Sequence, residues 1–130
     1  MAGHLWKFIE VAETLDEAGL IWQPEIGDEV SQRDQKEKVS VLVDTHCMTP
    51  SELREIYLWL PTVEQLITQL EARQAILFHA GLELSEHTYC YKTIIQTSFG
   101  PIECKANTLR IALGKALADI LLSKYKGKLH

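Results

Sequence analysis

The sequence lacks long apolar runs, paired cysteine motifs and an export signal. Its longest apolar stretches fall far short of the ~20 residues that a membrane-spanning helix needs, so no membrane association is expected. Cys47, Cys90 and Cys104 are three cysteines without a CxxC pair, which favours reduced thiols over a disulfide framework. Residues 1–13 are acidic and amphipathic rather than signal-like, so a cytoplasmic location is expected.

Local signatures of catalysis are also missing. The chain contains no glycine-rich phosphate loop, no G-x-S-x-G and no H-E-x-x-H motif, so phosphate-loop, serine-hydrolase and zincin chemistry lack their usual markers. We therefore assign no catalytic or cofactor-binding residue and expect no cofactor. The net charge of −5 argues against general nucleic-acid binding, which requires neutralisation of phosphates.

What the chain does contain is an ordinary globular composition. It has 130 residues, of which 46% are hydrophobic and 24% charged. This length supports one domain over residues 1–130 with a core of its own.

The most strongly patterned stretch is 57–74. Pro61 disfavours helical geometry at the preceding residue, and Thr62 is a suitable N-cap. Val63, Leu66, Ile67 and Leu70 then fall at i, i+3, i+4 and i+7, which predicts an amphipathic helix over 62–73. Similar apolar stripes predict helices over 4–18 and 108–124.

Alternating and β-branched segments predict strands between these helices. The strand candidates are 29–31, 39–43, 75–79, 88–97 and 102–106, with turns at 80–81 and 85–87. Residues 56–60 fit either a strand or a helix, and the pattern does not decide between them. The expected class is α+β, with a mostly antiparallel sheet of four or five strands packed with three helices.

Two Trp-x-Pro corners recur along the chain, at Trp22 and at Trp59. They fit either an internal duplication or chance. Because aromatic residues carry much of the energy of protein interfaces, Trp22, Tyr57 and Trp59 are candidate interface residues, and a buried, structural role is the alternative.

A wider organisation surrounds these corners. An opening amphipathic helix leads into GLIWQPEIGDEV, the second corner reads LWLPTVEQLITQLEAR, and the chain closes with strands and NTLRIALGKALADILL. This organisation resembles small uncharacterised phage or prophage-related proteins of Firmicutes, of the phage αβα-sandwich type. The resemblance implies a sheet held between helices and a phage-related setting, and it brings no catalytic residues.

Histidines and cysteines supply the candidates for chemistry. His46, Cys47, His87 and Cys90 are the candidate metal ligands, because zinc takes about four nitrogen or sulfur ligands. Cys47 with His46 or His79 and Asp44 would instead form a nucleophile, base and orienting acid. Exposed loop histidines and buried, inert thiols are the simpler interpretation.

The charge distribution adds a last possibility. Acidic residues dominate 1–29, and the C-terminal segment carries Lys115, Lys124, Lys126 and Lys128.

Three functions therefore remain open. The first is a self-associating, homodimeric, non-enzymatic interaction or assembly protein of phage-related type with an unidentified protein partner. The second is a small metal-binding or cysteine-dependent enzyme. The third is a regulator that binds nucleic acid through its basic C-terminus.

Overall fold

The computed structural model describes residues 2–127, with side chains for 5–84 and 86–123. The helices are α1 (Ala2–Glu17), α2 (Pro50–Ile56), α3 (Val63–Ala72) and α4 (Leu109–Gly127). The strands are β1 (Glu29–Gln32), β2 (Val39–Val41), β3 (Tyr57–Trp59), β4 (Ile76–Ser85), β5 (Thr88–Thr97) and β6 (Gly100–Ala106). The predicted α+β class is confirmed. No helix in this part of the chain is both long and apolar enough to cross a membrane.

The described strands form two antiparallel sheets of three strands each, in the orders β2-β1-β3 and β4-β5-β6. In the first sheet Val30 lies opposite both Ser40 and Trp59. The expectation of one sheet with four or five strands was therefore wrong in its count. Alternation along a strand says which face is buried, but it does not say which other strand will pair with it.

Residues 56–60 divide between a helix end and a strand, because α2 ends at Ile56 and β3 begins at Tyr57. This helix was not among the three predicted. It starts from a capping box, in which the Thr49 hydroxyl accepts from the Glu52 amide and the Glu52 carboxylate accepts from the Thr49 amide. Hydrogen bonds to its carboxylate from the backbone amide and the side chain of Thr49 lower the pKa of Glu52 below its ordinary value.

The three predicted helices are present as α1, α3 and α4, with ends shifted by a few residues. Helix α3 begins after its predicted N-cap. The Thr62 hydroxyl accepts from the Gln65 amide, and the Gln65 side chain accepts from the Thr62 amide. Leu66 and Leu70, from the predicted apolar stripe, are fully buried.

Helix α4 lies at the centre of the larger hydrophobic core, where it packs against α1, α3, β5 and β6. Leu113 and Leu117 are completely buried there. Gly114 lies at the crossing with α1, where a Cβ atom would come within 2.6 Å of the Val11 Cγ1 atom and 3.3 Å of the Phe8 Cε1 atom. The absence of a side chain at Gly114 therefore lets the two helices approach closely.

Arg110 joins four parts of the fold near the start of α4. Its Nε atom donates to the Pro61 carbonyl at 2.7 Å, and its Nη2 atom donates to the Leu60 carbonyl at 2.6 Å. The same Nη2 atom lies 2.8 Å from the Glu29 carboxylate. The guanidinium carbon also lies 4.2 Å from the centre of the Phe8 ring. This side chain thereby fixes α4 against the second Trp-Pro corner, β1 and α1.

Candidate interaction surface

The interface candidates Trp22, Tyr57 and Trp59 line one cavity of about 250 Å³. Trp22 is only 4% exposed and belongs to a small hydrophobic cluster with Val30, Leu42 and Leu53. Trp59 packs against this cluster and against the larger core. The structure thus brings the three residues together at the junction of two cores, where little of Trp22 is available to a partner.

Hydrogen bonds hold the first corner in place. The Trp22 indole nitrogen donates to the buried Asp28 carboxylate at 2.8 Å. Asp28 also accepts from the side chain of Gln65 at 2.8 Å, which links the corner to α3. Arg54 donates to the Trp22 carbonyl at 2.7 Å. These contacts support a bracing role for the first corner.

The two corners lead into different structures. After Trp59 and Pro61 the chain enters α3, whereas after Trp22 and Pro24 it turns and enters β1. The similarity of the two Trp-x-Pro sequences therefore does not extend to the elements that follow them. The Trp59 indole nitrogen is buried and has no hydrogen-bond acceptor among the described residues.

His46 and Cys47 lie in an exposed turn between β2 and α2. Both have positive φ angles, 52° and 61°, and the Met48 amide donates to the Thr45 carbonyl to close the turn. The Asp44 carboxylate accepts a hydrogen bond from the His46 backbone amide at 3.0 Å and lies 3.8 Å from the Nδ1 atom of the His46 ring. The expected proximity of Asp44 to His46 is present, in a solvent-exposed setting.

The other histidine and cysteine candidates lie in the second sheet. His87 occupies the β4–β5 turn, Cys90 lies on β5 and His79 on β4. Among the described residues, no group of three or more His, Cys, Asp or Glu side chains is arranged to hold a metal ion. All three cysteines are free; Cys47 is exposed and the other two are partly buried.

Cys104 is the thiol with the clearest electrostatic character. Burial raises its pKa to about 11, and the neighbouring Asp119 carboxylate, 3.8 Å from the sulfur, adds to the rise. Because the thiolate is the reactive form, this environment makes Cys104 a poor nucleophile at neutral pH.

The acidic face of α1 pairs with the connection between β1 and β2. Asp16 lies 3.1 Å from Arg33, and Glu13 lies 2.6 Å from Lys36. The basic cluster predicted at the C-terminus falls mostly outside the described side chains, which include Lys115 but neither Lys124 nor Lys126; Lys128 lies outside the described residues altogether.

An exposed apolar surface lies on the hairpin that β4 and β5 form. In this hairpin Leu82 pairs with Tyr91 and Leu84 with Tyr89, and further along Ala80 pairs with Thr93. Residues that pair directly across antiparallel strands share one face of the sheet. These side chains therefore share the face that carries Thr93 and Ile95 into the core beneath α4.

Exposure on this face increases toward the tip of the hairpin. Ile95 and Thr93 are fully buried, Tyr91 is partly buried and Tyr89 is 66% exposed. On β4, Leu82 and Leu84 are 58% and 60% exposed. We call the set Leu82, Leu84 and Tyr89 the hairpin face. It continues the apolar side of the sheet beyond the part that α4 covers.

The third strand ends before the tip. Its last paired residue, Ala106, lies opposite Tyr91, so the hairpin beyond Tyr91 has two strands only. A two-stranded hairpin is marginally stable in water without packing against something else. The turn itself uses Glu86 and His87 at φ angles of 46° and 71°, which non-glycine residues adopt at some cost.

The opposite face of this sheet is charged. Lys92 lies 3.7 Å from Glu83 and 3.4 Å from Glu103, and Lys105 lies 3.4 Å from Glu83. These cross-strand pairs suit a solvated surface. The sheet is therefore apolar on the side that faces α4, and its other side carries these charged pairs around Lys92.

The sequence contained part of the signal for the hairpin face. Leu82, Leu84, Tyr89 and Tyr91 alternate with other residues as strand side chains do. The prediction placed turns at 80–81 and 85–87, and the first of these was wrong: β4 runs through Ala80 and Gly81 to Ser85. Gly81 was interpreted as a turn signal, but here the His79 ring lies over it, 3.0 Å from a would-be Cβ.

Comparisons of this chain with models of protein families, with curated proteins and with solved structures gave no match. The functional argument therefore depends on the geometry of the described residues.

Proposed function

We propose that this protein is a non-enzymatic interaction or assembly protein that self-associates through the hairpin face. The observation that carries the proposal is the exposure of Leu82, Leu84 and Tyr89 on a projecting two-stranded hairpin. Contiguous exposed apolar surface on a protein that otherwise covers its core is typical of an interaction site.

The part of the proposal that concerns phage-related character is supported by the resemblance of the two Trp-Pro corners and the closing helix to small phage-related proteins. Gene neighbourhood tests it: genes for virion assembly or lysogeny beside this one would support the proposal, and a conserved metabolic operon would contradict it.

Light scattering coupled to size exclusion tests self-association directly. We expect a mass above that of the 14.8 kDa chain at micromolar concentration, falling as the protein is diluted. Leu82→Lys with Leu84→Lys should give a monomer, because the two lysines place charge in the apolar contact. A strict monomer at all concentrations and ionic strengths would refute the proposal.

Ile26→Lys is the matched control. Ile26 is 61% exposed, much like Leu84, but it lies in the loop before β1. Its replacement adds the same charge as Leu84→Lys alone, without touching the hairpin. If Ile26→Lys disrupted the assembly as strongly as the double variant, the loss would reflect net charge rather than the hairpin face.

The metal-centre and nucleic-acid hypotheses stay predictions from the sequence. Metal analysis of protein purified without a chelator decides the first, since no bound zinc would end it. The second predicts salt-sensitive binding that is lost when Lys124, Lys126 and Lys128 become glutamine.

A further inference from the structure

The exposed edge of the second sheet indicates how two copies of the chain would pair in the self-association proposed above. We infer that two copies pair through the outer edges of β4, antiparallel, about a two-fold axis at Gly81. The product is a continuous sheet of the order β6-β5-β4-β4-β5-β6. This inference depends on the proposed self-association, and it fixes which backbone groups and side chains meet.

The two edges of the sheet differ in how they are protected. The edge strand β6 carries Pro101, Glu103 and Lys105, and proline and charged residues are the usual means of preventing edge-to-edge pairing. The other edge, β4, pairs only with β5 among the described strands. Its ten residues contain neither proline nor lysine, and Glu83 is their one acidic residue. An edge of this kind accepts another strand.

The alternation of side chains restricts how two copies of β4 can pair. Directly opposed residues must share a face, so the axis passes through a residue rather than between two residues. His79, Gly81 and Glu83 face the charged side, and Ala80, Leu82 and Leu84 face the apolar side. The register is therefore set by the residue that lies on the axis.

Charge selects Gly81 for that position. An axis at Gly81 places His79 opposite the partner's Glu83 twice, once on each side of the axis. An axis at Glu83 would oppose two carboxylates, and an axis at Ala80 would place Glu83 opposite the apolar residues at the irregularity of the partner's strand, between Ile76 and His79. An axis at Leu82 would leave His79 opposite the partner's Ser85. Opposite polar partners stabilise a strand pair, and like charges destabilise it.

The same register suits the apolar side. Ala80 lies opposite the partner's Leu82, and the two copies of Leu82 become diagonal neighbours across the axis, within reach of long side chains. Gly81 on the axis leaves room for the His79 ring, which already lies over it. Lys92 and Lys105 remain beside Glu83, with Glu103 beyond Lys92, and the Glu83 carboxylate accepts a hydrogen bond from the imidazole of the partner's His79.

A pair of substitutions at His79 tests the register. His79→Glu places a carboxylate opposite the partner's Glu83 and should raise the dimer dissociation constant about tenfold at low salt, because two such pairs form per dimer. His79→Lys should lower the dissociation constant several-fold, and the dissociation constant of His79→Gln should lie between those of the glutamate and lysine variants. Sedimentation equilibrium measures all three. Equal effects of the glutamate and lysine variants would overturn the register.

Disulfide trapping tests the axis directly. In a chain whose native cysteines are replaced by serine, Gly81→Cys should form a covalent dimer on mild oxidation, since the two copies lie side by side. The added side chain meets only the end of the flexible His79 side chain. Leu84→Cys is the control: in this register its two copies are six residues apart along the strands, roughly 20 Å, and should not link.

The outcomes separate this inference from the proposed function. One outcome is a dimer that the lysine substitutions at Leu82 and Leu84 disrupt, but that is insensitive to the His79 substitutions and forms no disulfide through Gly81→Cys. This outcome would support self-association and overturn the pairing of the β4 edges. A wild-type monomer at all concentrations overturns both. Preferential linking through Leu84→Cys would also overturn the register at Gly81.

Discussion

Replacing Gly114 by alanine sets two opposite effects against each other. Alanine is favoured over glycine in a helix interior by about 1 kcal/mol, so intrinsic propensity alone predicts a more stable α4. The added Cβ, however, would lie 2.6 Å from the Val11 Cγ1 atom, about 1 Å inside the usual carbon–carbon contact distance. Both Val11 and Phe8, the two neighbours on α1, are buried.

Overpacking of a core typically costs 1–3 kcal/mol. Val11 is β-branched and has little rotamer freedom in a helix, so we place the cost near the upper end of that range. After subtraction of the propensity gain, Gly114→Ala should destabilise the protein by about 2 kcal/mol. For a chain of this size the melting temperature should fall by about 8 °C.

Urea denaturation followed by circular dichroism measures the effect, with a lower midpoint and an unchanged slope as the expected result. Val11→Ala provides the decisive background, because it removes the methyl group that the new Cβ would meet. In that background Gly114→Ala should become neutral or stabilising by up to about 1 kcal/mol. The coupling energy between positions 11 and 114 would then be about 2–3 kcal/mol. Lys115→Ala, at an exposed site on the same helix, should change stability by less than about 0.5 kcal/mol.

A Gly114→Ala protein that is more stable than the wild type would refute this reasoning. It would mean that α1 and α4 are further apart than the structure places them, or that α1 yields at little cost.

Four further outcomes follow from the described contacts. Arg110→Lys should cost about 2 kcal/mol in denaturation experiments, since an ammonium cannot serve two carbonyls and a carboxylate as the guanidinium fork does. Trp59→Ala should cost less in the same assay than the roughly 3–5 kcal/mol typical of a fully buried tryptophan, because Trp59 packs against both cores but is only partly buried. Glu86→Asn with His87→Gly should stabilise the hairpin by about 1 kcal/mol, because both positions have positive φ angles. Alkylation of Cys104 followed by mass spectrometry should be slow at neutral pH and accelerate up to about pH 11, because its raised pKa keeps the thiol protonated below that value.

Three of these outcomes have a matched control. Glu29→Gln keeps the two carbonyl bonds of Arg110 and should cost clearly less than Arg110→Lys. Trp59→Phe should lose less stability than the alanine variant. Asp119→Asn removes a negative charge beside Cys104 and should shift its alkylation profile to lower pH. Rapid alkylation of Cys104 at pH 7, or a less stable Asn-Gly hairpin, would contradict the corresponding argument.

The sequence predicted best where a local signal was complete. Thr62 and the stripe that ends at Leu70 contain both the start and the buried face of α3, and the strand 88–97 was predicted with the bounds that β5 has. The capping box of Thr49 and Glu52, with Pro50 between them, was equally local, and it could have revealed α2.

The errors arose where distant residues decide the structure. The division into two sheets depends on pairings such as Val30 with Trp59, which no local pattern contains. Gly81 was assigned to a turn because glycine favours turns, yet β4 continues through it, and the turn falls only at the second predicted position, 85–87. For the same reason the hairpin face was missed: the false turn at 80–81 ended the predicted strand at residue 79, so Leu82 and Leu84 were not placed on a strand opposite Tyr89.

The packing of α1 against α4 also affects how the chain can fold while it is being made. From Glu17 to Leu109 the ribosome adds more than ninety residues, which takes roughly 5–20 s at ordinary rates of synthesis. During that time Phe8, Ile9 and Leu15 have no α4 against which to pack. The nascent chain must therefore carry the apolar side of its first helix uncovered, or on a chaperone, until the last helix emerges and closes the core.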